Sequence, residues 1–432
     1  MMGDFQKRLL RAIPGGAHTY SRGYDQYPEN APEILSGGRG AYVFDAERKS
    51  YLDYGMALRA VNIGYAENEI DEAAINQIRL GNNLTRPSLV ELQAAELLVD
   101  LIDSVDMVKF TKNGSSSVSA AVKLARSYTG RELIACCADQ PFFSYDDWFI
   151  SSTPIKSGIP ANTEHLIKLF RYNDISSLKK LIDQYPGKFA CLVMEAETNV
   201  APLDGFLHEV QKICRENGIV FILDEMITGF RWHLKGAQYL YGLEPDLSTF
   251  GKAMANGYSV SCVAGRREIM ELGSIEFEGR ERLFLLSSTH GAEMAGLGAF
   301  IATIQMMQRE MVVAHLWEYG ESLKTLILKK ALEHGVSGSL KIGGAACSPF
   351  YSTLDESGNN SLPLRTLFSQ EMIKGGVLMP WIALCMRHGE KELLKTSEAL
   401  DQALPVYRKA LEGRVEDYLN GPVIKPVFRK YN

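Results

Sequence analysis

The chain is expected to fold as an α/β protein: a large domain with a mainly parallel central sheet covered by helices, and a smaller α+β domain. Two observations predict the large domain. The runs FACLVME (189–195) and GIVFILD (218–224) are apolar without a polar face. Between them GFLHEVQKICRENG (205–218) sets Leu207, Val210, Ile213 and Cys214 at helical spacing before a glycine stop. Strand, helix, strand, with strands apolar on both sides, describes a parallel sheet buried between helices. The third observation is length, since 432 residues exceed one ordinary core.

The flanks differ in pattern. Residues 1–50 carry the turn-rich IPGGAHTYSRG and short strand signals around DAERK. Beyond residue 311, WEYGESLKTLILKKALEHG is helical, SLKIGG strand-like and EKELLKTSEALDQALPVYRKALEG helical again. The expected organisation is therefore residues 51–310 as the large domain, with 1–50 and 311–432 forming the smaller one.

Composition narrows the function. An apolar fraction of 46% with 23% charged residues suits a soluble globular protein, and no run is long enough to span a membrane. The net charge of -6 leaves no footprint for nucleic acid or an anionic membrane, so small-molecule partners are expected. Seven scattered cysteines, several inside apolar runs, read as small hydrophobes, and no spacing suggests a metal site. The N-terminus has no long apolar region before a small-residue cleavage site, which points to the cytoplasm.

Three local signals carry chemistry. Asp224 and Glu225 end the second apolar run, and in open α/β sheets ligands gather at the carboxyl ends of strands. A plain helix cap is the alternative for a carboxylate there. In KNGSSSVSAAVKLARSYTGR (112–131), Gly114 and three serines precede a helical apolar face, so backbone N–H groups and the positive helix end suit a phosphate. An ordinary serine cap is the alternative there. In STFGKAMANG (248–257), Lys252 sits among small residues rather than on a charged surface. A cofactor with a phosphate, a basic ring nitrogen and an aldehyde would use all three. Pyridoxal phosphate is such a cofactor: a lysine amine forms a Schiff base with it, and a carboxylate keeps its ring nitrogen protonated.

In order along the chain, NGS, ME, DEMITGFR, PDLSTFGKAMANG and STHGAE resemble the class III, fold-type I pyridoxal-phosphate aminotransferases, and within them the glutamate-1-semialdehyde aminomutase branch. The resemblance runs from IPGG at residue 13 to LMPW at 378. It implies that Lys252 holds the cofactor and shuttles protons, that Asp224 pairs with the ring nitrogen, and that Met226 packs on one ring face. Gly114 and Ser115 would bind the phosphate, and Thr289 would complete the phosphate cup of the other subunit, so a homodimer with shared sites is implied. Phe142 falls where the family stacks an aromatic on the ring, with an ordinary core phenylalanine as the alternative. Glu195 matches a family glutamate at a strand end, although Ala196 replaces its usual proline neighbour. Arg22 and Thr19 match the aminomutase segment that grips the substrate carboxylate. Arg59 is a second candidate anchor or a surface arginine.

The chain also departs from the aminomutase. Ser116 stands where a glutamate is expected, FFS (142–144) replaces YHG, HGAE (290–293) replaces SGNP, and WIALCMRHG lacks an acidic residue carried near that site. A mutase must retain its diamine intermediate, whereas a transaminase releases a keto acid and admits another acceptor. The expected function is therefore an aminotransferase, with L-glutamate as donor and a keto or aldehyde acceptor such as an oxidised sugar or a carboxylated ketone. The alternative is the aminomutase that makes 5-aminolevulinate. A cofactor-binding regulator without catalysis is a third reading, disfavoured by the acidic charge and the short segment before IPGG.

Overall fold

The alternation of apolar runs and helical stretches builds the larger of two compact units, residues 68–313 with 430–432. The smaller unit comprises residues 1–67 and 314–429. The computed structural model describes residues 3–276, 278–279 and 281–431. Its strands in chain order are β1 (Leu35–Arg39), β2 (Tyr42–Asp45), β3 (Ser50–Asp53), β4 (Met107–Thr111), β5 (Leu133–Cys137), β6 (Ile167–Phe170), β7 (Phe189–Met194), β8 (Val220–Asp224), β9 (Leu247–Phe250), β10 (Ser261–Gly265), β11 (Leu340–Gly343), β12 (Phe350–Thr353) and β13 (Val377–Leu378).

In the larger unit seven strands lie in the order β4-β10-β9-β8-β7-β5-β6. Four neighbouring pairs, β5 with β6 and β7, β7 with β8, and β8 with β9, are parallel. Only β10 runs antiparallel, to both β4 and β9. Every residue of β7 and β8 is buried, as their unbroken apolar runs require. Parallel neighbours need a crossover connection, which the helix Phe206–Glu216 supplies between β7 and β8, with Leu207, Val210, Ile213 and Cys214 among its buried residues. The helix Gly114–Thr129 follows β4, buries Val118, Ala121, Val122 and Ala125, and ends at Gly130 in the left-handed conformation. All seven cysteines are buried and unbridged.

The smaller unit has a four-stranded sheet in the order β1-β2-β3-β13, with β13 parallel to β3. Its N-terminal portion extends past residue 50 because β3 pairs with β2 on one side and β13 on the other. The helices Leu362–Lys374 and Glu390–Leu411 and the hairpin of β11 and β12 belong to the same unit. A buried tyrosine here is paired on both sides. The Tyr54 hydroxyl meets Tyr319 Oη at 2.7 Å and Thr396 Oγ1 at 2.8 Å, and its ring stacks on His388 at 4.6 Å.

Just beyond β3 the backbone does something the residue pattern gives no hint of. Met56, Ala57, Leu58 and Arg59 have φ of 39°, 48°, 64° and 68°, a full left-handed turn without glycine. Each such residue costs about 1–2 kcal/mol, so the turn needs outside support. Asp53 supplies it: its buried carboxylate accepts from Gly55 N at 2.7 Å, Met56 N at 3.1 Å and the Tyr65 hydroxyl at 2.7 Å. Asp53→Ala is expected to destabilise the protein by about 3 kcal/mol, since three donors lose their acceptor. Denaturant unfolding measures this, and a loss under about 1 kcal/mol would show that the turn holds without Asp53.

Candidate active site

Asp224 closes β8 and is 3% exposed. Its Oδ1 accepts from Met226 N at 2.9 Å and from the Thr249 hydroxyl at 3.0 Å, the latter on neighbouring β9. Burial pushes the Asp224 carboxyl above its ordinary value. The Lys252 charge, the Met226 N–H and the Thr249 hydroxyl pull it back. Lys252 is thus the charged group that acts on the buried Asp224. Lys252 follows β9 and Gly251, has φ of 45°, and precedes Ala253, Met254 and Ala255, all buried. A lysine held left-handed against small buried residues is placed by the fold and is not a solvated surface group.

Glu225, one residue on from Asp224, behaves differently. It is fully buried and accepts from Ala237 N and Gln238 N, each at 2.9 Å, and from the Thr228 hydroxyl. Adjacent carboxylates at a strand end point to opposite sides. Glu225 is taken up by hydrogen bonds to the following chain, whereas the hydrogen bonds to Asp224 end on Oδ1.

Met226 joins the two loops that the sequence separates by more than a hundred residues. A Cβ on Gly114 would lie 2.8 Å from Met226 Sδ, and a Cβ on Gly251 would lie 2.7 Å from the same atom. The phosphate-suited turn, the strand-end aspartate and the lysine loop therefore converge around one thioether. At the turn, Asn113 caps the helix Gly114–Thr129 by accepting from Ser116 N at 2.9 Å. Among the described residues no acceptor meets the amides of Gly114 and Ser115, which the helix itself leaves unpaired. The Ser115 hydroxyl is buried and accepts from Tyr145 N at 3.1 Å.

Phe142 lies in the loop after β5. Phe142 is 45% exposed, edge-on to Phe149, while Phe143 is in the core. Phe142 is therefore not an ordinary core residue. Glu195 follows β7 and is buried, and both its backbone groups bond the Gln140 side chain, N to Oε1 at 2.9 Å and O to Nε2 at 2.8 Å. Gln140, which the sequence reading did not single out, thereby ties the aromatic loop to the end of β7. Thr289 is exposed in the segment before the helix Met294–Arg309, and its carbonyl accepts from Asn83 Nδ2 at 3.0 Å.

The remaining candidates belong to the smaller unit. Arg22 ends a short 3₁₀ turn that begins at Tyr20, and Thr19 precedes that turn and accepts Arg22 N at 3.0 Å. Arg22 lines a cavity of about 920 Å³ walled by groups such as Tyr27, Leu58, Tyr65, Leu378 and Trp381. Burial, then the Asp53 charge, raise the Tyr27 hydroxyl, and the Arg22 charge acts against them. Among the described residues Arg22 has no carboxylate in ion-pair contact. Thr19 is not among the lining residues, nor is Arg59, which sits half-buried on the left-handed turn.

A family model for the class III aminotransferases matches residues 24–356. The chain belongs to that family. A 3-aminobutyryl-CoA aminotransferase of Cloacimonas acidaminovorans (strain Evry) is 31% identical, over 92% of this chain and 95% of its own length. A glutamate-1-semialdehyde 2,1-aminomutase of Lachnoclostridium phytofermentans is 28% identical, over 93% and 98%. Among solved structures, the pyridoxal phosphate internal aldimine form of the FumI protein of Sphingopyxis sp. MTA144 has a TM-score of 0.86 at 26% identity, covering 95% of this chain and 97% of that one. As a class III aminotransferase the protein is an enzyme of the fold-type I kind that works with pyridoxal phosphate.

The residues present fit that cofactor. Met226 Sδ packs so closely on the Gly114 and Gly251 backbones that neither position has room for a Cβ, and the Gly114 and Ser115 amides at the helix start are available to a phosphate. Gly114→Ala tests this, because alanine is otherwise the better helix former at that position. Crowding Met226 is expected to weaken cofactor binding roughly tenfold while the fold survives. Titration of the cofactor-free protein measures it, and unchanged affinity would remove Gly114 and its assignment to the phosphate from the site.

Proposed function

We propose that this aminotransferase takes its amino group from L-glutamate and passes it to a ketone that carries a carboxylate. The observation that carries the reading is Arg22, a guanidinium on the wall of a largely apolar cavity with no carboxylate in ion-pair contact among the described residues. Such a fork suits a carboxylate in two-point contact. Aliphatic and aromatic groups such as Leu58, Leu378 and Trp381 line the cavity together with the polar Gln6, Ser36 and Asp53, and of the two acceptor classes the carboxylated ketone is the one proposed. Thr19 and Arg59 are secondary candidates for the same substrate.

Bound pyridoxal phosphate supplies the electron sink and the carbon that carries the amino group between donor and acceptor. Lys252 Nζ would hold the cofactor through its amine and would take and return the proton of the substrate α-carbon. Asp224 Oδ2 would keep the cofactor's ring nitrogen protonated. Met226, Phe142 and Glu195 would pack against the cofactor ring, and the Gly114 and Ser115 amides would hold the phosphate. Thr289 serves the site of a second copy, so the working form is a homodimer, acting in the cytoplasm on small molecules.

The aminomutase is the second reading, favoured by Arg22 and Thr19 in the IPGG segment and by the relative that bears that name. The absorption spectrum before and after L-glutamate separates the two. Loss of the cofactor band with one equivalent of 2-oxoglutarate is expected. No release of keto acid, together with isomerisation of glutamate-1-semialdehyde in the absence of a donor, would replace the proposal with the mutase.

A further inference from the structure

Two charged residues flank the elements assigned to the phosphate and were not singled out in the sequence. Lys112 immediately precedes Asn113, which caps the phosphate-suited helix. Glu293 stands at the N-cap of the helix Met294–Arg309, four residues after Thr289, where the resembling family has the proline of SGNP. Their side chains form an ion pair, 24% and 22% exposed. Packing around the pair is close: the Lys112 carbonyl accepts from Ser259 Oγ at 2.6 Å, and a Cβ on Gly296 would lie 3.6 Å from Lys112 Nζ.

Glu293 makes no capping hydrogen bond to its own helix, although an N-cap carboxylate is well placed to do so. Asn82 does that work from another element. Its carbonyl accepts from Met294 N at 2.8 Å and its Oδ1 from Ala295 N at 2.9 Å. Asn83 holds the other end of the segment through the Thr289 carbonyl. With the helix start satisfied by Asn82, the Glu293 carboxylate is free to engage Lys112. The segment from Thr289 to Ala295 is thus pinned at both ends by asparagines and in between by one ion pair to the phosphate turn.

We infer that Glu293 and Lys112 are positioning residues that hold the Thr289 segment, which serves the second copy's site, in register with the phosphate-binding turn of its own chain, so that affinity for the cofactor's phosphate depends on their ion pair. The inference rests on the proposed assignment of Gly114, Ser115 and Thr289 to the phosphate.

The test measures the dissociation constants of pyridoxal phosphate and of pyridoxal for wild type, Glu293→Gln, Lys112→Gln and the double variant. Each single change is expected to weaken pyridoxal phosphate about fivefold, the double change no more than either alone, and pyridoxal, which lacks the phosphate, should bind all four alike. Unchanged phosphate-ester affinity in both single variants overturns the inference, and so does an equal loss for pyridoxal, which would mark a general structural defect. Gly114→Ala in parallel separates the two levels. If Gly114→Ala leaves pyridoxal phosphate affinity intact, the phosphate assignment itself fails; if it loses affinity while the ion-pair variants do not, only the inference fails.

Discussion

Lys252→Ala is expected to abolish the borohydride-stable link between protein and cofactor and to lower turnover by on the order of 10⁴-fold, with the cofactor still bound. The reason lies in what the structure puts around the amine. Lys252 is held at φ of 45° between Gly251 and the buried Ala253, and it is the charge to which Asp224 responds. Alanine preserves the small-residue packing and removes the nucleophile and the proton carrier together. Noncovalent contacts at Gly114, Ser115 and Asp224 remain, so binding should outlast catalysis. Mass spectrometry after borohydride reduction and single-turnover assays check both halves. An adduct that persists in the variant would place the reactive amine elsewhere.

Asp224→Asn is expected to reduce turnover about 10²- to 10³-fold without lowering the stability of the cofactor-free protein. Both structural hydrogen bonds to Asp224 end on Oδ1, from Met226 N and Thr249 Oγ1, and an asparagine oxygen accepts both. The amide then occupies the Oδ2 position, where it donates and cannot hold a proton on a ring nitrogen. The sign of the stability effect follows from linkage. Burial raises the folded-state pKa of Asp224 above the ordinary 3.8, so the folded chain retains the proton longer than the unfolded chain as pH rises. Stability of the cofactor-free protein from this group is therefore present below the unfolded value and is lost as pH rises through the raised one. At neutral pH the carboxylate is a net cost that the neutral amide avoids. Thermal melts of cofactor-free and loaded protein at pH 7 measure it. The loaded variant should gain less from cofactor than wild type does, and a cofactor-free variant that melts well below wild type would make Asp224 a structural residue.

The contrast between Asp224 and Glu225 shows where legibility stopped. Both carboxylates end one apolar run, and residue pattern treats them alike. The pleat sends them to opposite sides, and only the positions of Ala237 and Gln238, delivered by a later turn of chain, decide that Glu225 is satisfied. Phe142 and Phe143 are a similar pair, one half-exposed and one in the core. The left-handed turn at 56–59 was invisible for another reason. None of its residues prefers that conformation, and it is imposed by the Asp53 carboxylate and the Tyr65 hydroxyl that joins it.

What the amino-acid order settled alone was local. The buried strands β7 and β8, the helix between them, the glycine stop at Gly130 and the serine-rich helix start follow from apolar periodicity and backbone preference over a few residues. Tertiary structure decided which of the chemically able residues share a space. Met226 Sδ touches the positions of both Gly114 and Gly251, and Lys112 reaches Glu293, across separations that no short-range pattern encodes. Strand order β9-β8-β7 sets the first convergence, because Asp224 and the lysine loop leave neighbouring strands at the same end. Parallel pairing puts successive carboxyl ends side by side, and the chemistry collects where they meet.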